Sequence, residues 1–213
     1  EELKPDAAIL DPELTVGVPP HITAATGLDA LVHAIEACTN KHATPGNDLY
    51  CLEAISLISA NLERAVKSPD DLEARGAMLL GSCYGGIGID NCGTALAHNI
   101  SHAIAGLAPI PHGRATGLAM LATMDWVAEG NPLAFGRVAR AMKADDAAKA
   151  YDKLVRATGI KVSLEGDGLD LKRPELLAEH MASPANNPMR KSTARYPNDE
   201  ELVMLAARML ALR

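Results

Sequence analysis

The stretch Ala24-Ala25-Thr26-Gly27-Leu28-Asp29-Ala30-Leu31-Val32-His33-Ala34-Ile35-Glu36-Ala37-Cys38 carries two stripes at helical spacing. Leu28, Leu31, Val32, Ile35 and Cys38 recur at steps of three and four, the apolar face of a helix. Thr26, Asp29, His33, Glu36 and Asn40 form a second, polar stripe. Such a stripe is either a solvated face or a buried line that needs partners. The flanking Ala24, Ala25, Gly27, Ala30, Ala34 and Ala37 favour burial, because small residues let neighbouring helices approach from every side. A carboxylate and an imidazole buried side by side need a partner, since an unpaired buried charge is costly. Their spacing puts Asp29 and His33 on one face, at a reach suited to a shared metal ion.

Outward from this stretch the apolar spacing stays helical almost everywhere. The pattern predicts a helix that follows Pro19-Pro20 and runs to about Thr39 and, after the Pro45-Gly46 turn, a second one capped by Asn47 or Asp48 that runs to about Lys67. A third starts at Ser68-Pro69-Asp70-Asp71, with Ser at the cap and acids in the first turn, and reaches Gly85 or beyond. Asn91-Cys92-Gly93 breaks the chain before a helix over Thr94 to Ala105, and Pro109 and Pro111 force a loop before another helix near His112. Further helices are expected at 132–143, 146–158, 174–183 and 198–211, with loops at 159–173 and 184–197. A short strand at Ala7–Leu10 is the one exception, so the expected fold class is all-α, a multi-helix bundle. Residues 1–20 read as an extended lead-in segment and residues 21–213 as a helical metal-binding domain.

Composition narrows the function. The 213 residues are 48% hydrophobic, 22% charged and only 3% aromatic, a globular balance whose small-residue core suits packed helices. A formal charge of -7 with no basic stripe argues against a nucleic-acid partner. No apolar run is long enough to span a bilayer. Glu1-Glu2-Leu3-Lys4-Pro5 does not resemble a signal peptide. Cys38, Cys51, Cys83 and Cys92 show no CxxC spacing and read as buried reduced thiols, which points to a cytoplasmic localisation. The glycines of Gly81-Ser82-Cys83-Tyr84-Gly85-Gly86-Ile87-Gly88 lie inside a helical pattern, where they serve close helix packing and not a phosphate-binding turn.

His98 and His102 repeat the i, i+4 pattern, and His112 follows a loop that lets the chain double back. His98 lies about 12 Å from its helix end at about 1.5 Å per residue. A loop of about five residues spans up to about 17 Å, so His112 can return to it. A ring at a helix N-terminus is disfavoured in its protonated form, and neutral imidazole is the form that binds metal. Spacing does not choose the ligands: the pairs Asp29, His33, His98 and His102 fit as well as a set using His112. His21, His42 and His180, in or beside loops, read as surface.

At these segments the sequence resembles the iron-containing (group III) alcohol dehydrogenase family. The resemblance rests on Asp11-Pro12-Glu13-Leu14-Thr15, Pro19-Pro20, Thr26-Gly27-Leu28-Asp29 through Glu36, Ala97-His98-Asn99-Ile100-Ser101-His102-Ala103-Ile104-Ala105-Gly106, and Ile110-Pro111-His112-Gly113. Asn186-Asn187-Pro188 is similar to the family's late Asn-Pro turn, while Arg114-Ala115-Thr116-Gly117 departs from its commoner Val-Ala-Asn run. The resemblance implies metal ligands Asp29, His33, His98 and His112, with Fe(II) or Zn(II) as the ion, and places His102 beside the nicotinamide and substrate. Three imidazoles and one carboxylate suit either ion. It further implies an NAD(P)-linked alcohol dehydrogenase or aldehyde reductase, acting on a small alcohol or aldehyde, in a homo-oligomer. This chain would be the metal-binding part, lacking the family's amino-terminal nucleotide-binding domain and inactive alone.

Two other readings remain. A metal-dependent lyase of the dehydroquinate synthase-like fold would keep the ion, but segment 94–113 offers a polyanionic substrate no Lys or Arg. A non-catalytic helical assembly domain would leave the clustered polar residues unexplained. A helical phosphohydrolase would need a His-Asp dipeptide, which is absent. Glu36, one turn beyond His33, is either a partner to a ligand or a surface acid.

Overall fold

A computed structural model describes residues 7–213, and the Glu1–Pro5 reading lies outside the described residues. After a 3-10 turn at Pro12–Thr15 come ten helices. They are α1 (Pro20–Thr39), α2 (Pro45–Lys67), α3 (Leu72–Cys92), α4 (Leu96–Ala105), α5 (His112–Ala128), α6 (Pro132–Ala141), α7 (Ala147–Ala157), α8 (Pro174–Met181), α9 (Asn187–Ser192) and α10 (Asp199–Leu210). There is no strand among the described residues, so the fold is all-α, and Ala7–Leu10 is irregular with Ile9 exposed.

Helix α1 is the axis of the molecule. It packs on α2 and α3 on one side and on α5 on the other, with α4 and α6 at its edges. Its residues from Leu28 to Thr39 are buried apart from Asp29 and His33, which are half-buried. A helix covered all round needs close neighbours, and glycines supply the clearance. A Cβ on Gly85 of α3 would lie 3.0 Å from the Ala30 carbonyl, and one on Gly113 of α5 would lie 2.5 Å from the Ala25 carbonyl. Gly88, where a Cβ would meet Cys51 Sγ at 2.6 Å, does the same between α3 and α2. The glycine run therefore packs helices, as its pattern suggested. Helices α8, α9 and α10 form the far layer: α4 lies on α8 and α9, and α10 lies on α8 and α5.

Several starts differ from the sequence reading. The second helix begins at Pro45 with Thr44 as its cap, accepting from Asn47 N at 3.3 Å, while Asn47 and Asp48 are buried inside its first turn. The third begins at Leu72 with Asp71 accepting from Ala74 N at 2.9 Å, and Ser68 precedes it in a turn. Pro45 stands at the first position of α2, where a missing amide proton costs nothing, whereas Pro69 lies before the cap of α3, outside the helix; the polar residue that caps is the one directly ahead of each first turn. The expected loop at 184–197 contains α9, held by buried Arg190 and Ser192. Arg190 Nε donates to Pro197 O at 2.9 Å, and Ser192 Oγ donates to Thr94 O at 2.5 Å. His180 is on α8 and half-buried against Gly106, whereas His21 and His42 are exposed. Cys38, Cys51 and Cys92 are buried, Cys83 is half-buried, and all four are free.

Candidate metal centre

Asp29, His33 and Glu36 project from one face of α1 toward the start of α4. The backbone at that start explains Glu36. The first amides of a helix have no intrahelical acceptor, and Ala95, at the cap position, has no side chain to offer. The Glu36 carboxylate caps α4 from across the core, accepting from Ala95 N at 2.7 Å and Ala97 N at 2.6 Å. A negative charge is favourable at that end of a helix. The same carboxylate lies 2.7 Å from His98 Nδ1. Glu36 is thus a buried partner of His98, not a surface acid.

His98 is fixed on its other side by the residue that follows. Asn99 is fully buried, and its amide donates to Met181 O and Asn186 O, both at 2.9 Å. Asn186, at the Asn-Pro turn, donates in turn to His180 O at 2.9 Å. Helix α4 is therefore clamped between α1 and the α8–α9 layer.

With Nδ1 donating to a carboxylate, neutral His98 presents a lone pair on Nε2. That atom faces Asp29 Oδ1 at 3.7 Å. Both atoms are buried and neither has a hydrogen-bond partner. Two acceptors facing each other with nothing to donate call for positive charge between them. Burial pulls the His98 pKa down, but the Glu36 charge and hydrogen bond outweigh it and the net shift is upward, so a proton competes for the same place. His33 Nε2 lies 3.9 Å from Asp29 Oδ2, and its ring stacks on that of His98 with centroids 4.7 Å apart. Burial holds the His33 pKa down, against the pull of Asp29, which favours the neutral ring, the form able to bind a metal.

One ligand atom from each of Asp29, His33 and His98 lies within 4.8 Å of the other two. His112, the first residue of α5, brings its Nε2 to 3.6 Å from Asp29 Oδ1 while its side chain is 45% exposed. Ligands about 2.1 Å from one tetrahedral ion stand about 3.4 Å apart, close to these separations. The donor set and its unpartnered atoms fit a divalent cation. His102 lies outside this group on the solvent side, its ring 6.4 Å from that of His98 and 5.6 Å from that of His112. Burial, then the neighbouring His112 and His98, lower its pKa. Ser101 Oγ, 3.5 Å from His112 Nδ1, and Asn99 were not singled out by the sequence reading, because their partners lie on other elements.

The comparisons with known proteins agree with one another. The family described as "Fe-containing alcohol dehydrogenase family, C-terminal" matches residues 23–209. The probable alcohol dehydrogenase EutG of Escherichia coli (strain K12) is 41% identical over 163 residues, which are 74% of this chain and 41% of that protein. The NAD-dependent methanol dehydrogenase of Bacillus methanolicus is 44% identical over 113 residues, 53% of this chain and 30% of that protein. Among solved structures, the iron-containing alcohol dehydrogenase from Thermococcus thioreducens superposes with a TM-score of 0.85 at 29% identity, covering 98% of this chain and 56% of that one. The chain thus spans well under half of these curated relatives and just over half of the solved one.

Proposed function

The chain belongs to the iron-containing alcohol dehydrogenase family, as its C-terminal helical domain, and from that premise we propose that it is the metal-binding part of an NAD(P)-linked alcohol dehydrogenase or aldehyde reductase. Asp29, His33, His98 and His112 would hold Fe(II) or Zn(II). The observation that carries this reading is the facing pair of buried, unpartnered atoms, Asp29 Oδ1 and His98 Nε2. When bound, a divalent cation supplies Lewis acidity toward an alcohol or carbonyl oxygen, and a nicotinamide supplies the hydride acceptor or donor.

The chain's own residues do the rest. Asp29 contributes the one negative charge of the ligand set and sits at its centre, within reach of all three imidazoles. The buried walls of α1 and α4 exclude water from behind the site, so that polar interactions there are stronger than in solvent. His102, on the open side with a depressed pKa, is a neutral imidazole able to contact the nicotinamide or relay a proton. Small alcohols or aldehydes are the proposed substrates, a reading supported by the family to which the chain belongs. We assign residues 21–213 to the helical metal domain and residues 1–20 to its lead-in. No strand with a glycine-rich phosphate turn is found among the described residues, so the dinucleotide draws on a separate nucleotide-binding unit.

Metal content of the purified protein, before and after His98→Ala, tests the reading. The expected result is about one divalent ion per chain that is lost in the variant. Unchanged metal content would remove the ligand assignment. Robust turnover of an aldehyde with NADH by these 213 residues alone would overturn the need for a second unit.

A further inference from the structure

The hydrogen bonds of Glu36 carry an inference beyond the ligand set. We propose that Glu36 is a positioning residue for the metal centre: it fixes the tautomer and orientation of His98, so that the Nε2 lone pair points at Asp29, and in the same contact builds the start of α4. This rests on the metal-binding reading above.

Three donors converge on one carboxylate that is 4% exposed: Ala95 N, Ala97 N and His98 Nδ1. The two amides hold it in place without help from His98. It is therefore a preset acceptor, and His98 has to meet it with a protonated Nδ1. The neutral ring then has its proton on the far side from Asp29 and a free lone pair on the near side, the form a cation requires. With the proton on Nε2, His98 would hydrogen-bond to Asp29 instead, and both ligands would be closed to an ion. Nothing on α1 other than Glu36 makes this choice, since Asp29 faces the opposite ring nitrogen at 3.7 Å. Gln in its place has one acceptor oxygen and one NH2 group. It can serve some of the three donors, never all of them.

The decisive measurement is a double-mutant cycle on Zn(II) affinity, read by competition with a chromophoric chelator. Glu36→Gln is expected to weaken binding by about 10- to 100-fold when His98 is present. In the His98→Ala background the same change should alter affinity less than about threefold, because the residue acts through that ring. A merely structural role would weaken binding equally in both backgrounds, and that result, or no weakening in either, would overturn the proposal. The metal-free wild-type protein gives a second readout: nitrogen-15 spectra of the imidazoles at alkaline pH should show His98 as the Nδ1–H tautomer. Finding it as Nε2–H overturns the proposal even where Glu36→Gln does not fold. Absence of Zn(II) binding by the wild-type chain would instead defeat the metal-binding reading itself.

Discussion

The two sides of the histidine cluster are built differently. On the inner side His98 and Glu36 are each 4% exposed, and every group is held by a second one: Glu36 by two backbone amides, His98 by Glu36, and α4 by Asn99. On the outer side His112 is 45% exposed and His102 is exposed, and the hydroxyl of Ser101 on α4 lies a long 3.5 Å from His112 Nδ1. The inner side is preorganised by the packing of α1 and α4. The outer side, where α4 ends and α5 begins, is left open to whatever approaches. A site that holds an ion and also admits a substrate needs both, and here the division follows the helices.

The contrast predicts unequal ligands. On the proposed metal-binding reading, His98→Ala would remove a buried ligand whose place water fills poorly, and should lower Zn(II) or Fe(II) affinity by about 100-fold, near 2.8 kcal/mol. His112→Ala opens a position that solvent already reaches, and about tenfold, near 1.4 kcal/mol, is expected. Chelator competition on both variants checks this, and equal losses would break the contrast. Between them in size stands Gly113→Ala, which tests the wall that joins the two sides. Its Cβ would lie 2.5 Å from the Ala25 carbonyl, so α1 and α5 must separate. Overpacking of this kind costs about 2 kcal/mol, a fall of about 4–8 °C in Tm for a chain of this size. An unchanged Tm would mean that the inner side is less rigid than its contacts imply.

How much of this was legible beforehand depended on where each residue's partners lie. Helix α1 could be read from its own sequence, because small residues on all flanks report burial from every side. The i, i+4 pairs of Asp29 with His33 and His98 with His102 were visible for the same reason. What spacing left open was which histidines converge, since the return of His112 depends on a loop and on the clearance at Gly113. Glu36 stood between two readings because its partners are 59 to 62 residues away. Helix α9 was hidden because a Pro-, Asn- and Ser-rich stretch becomes helical only when Arg190 and Ser192 find acceptors on Pro197 and Thr94. The caps at Thr44 and Asp71 were misplaced because several polar residues in a row can each cap, and packing of the following turn chooses among them.

The outer side is also where the 159–173 loop attaches, and pH probes that attachment. Arg114 Nη2 bonds Asp167 Oδ2 and Ser163 O at 2.8 and 2.7 Å, and its Nε bonds Lys161 O at 2.9 Å. The Arg114 hydrogen bond, aided by Lys161, holds the Asp167 carboxyl below the usual carboxylate range. A carboxyl whose pKa is lower folded than unfolded contributes stability above the ordinary range and loses it as pH falls through the lowered value. Asp167→Asn should therefore cost about 1 kcal/mol near neutrality, measured by denaturant unfolding, with the gap closing in acid. A gap that widened in acid would mean that the loop is held by something else.

The smallest expected effect separates the two sides most sharply. His102→Gln should leave metal affinity unchanged, although His102 shares α4 with His98 and the same four-residue spacing that pairs Asp29 with His33. The helix itself explains the difference: His98 turns inward to Glu36 and Asp29, while His102, one turn on, looks out past the end of the helix, its ring 6.4 Å from that of His98. Its depressed pKa keeps it neutral near pH 7, so it does not repel an ion. A tenfold loss of affinity in this variant would mean that His102 swings inward as a ligand. His112 would then be the ring left to face the substrate, and the boundary between the fixed and the open side would run through α4 instead of along its end.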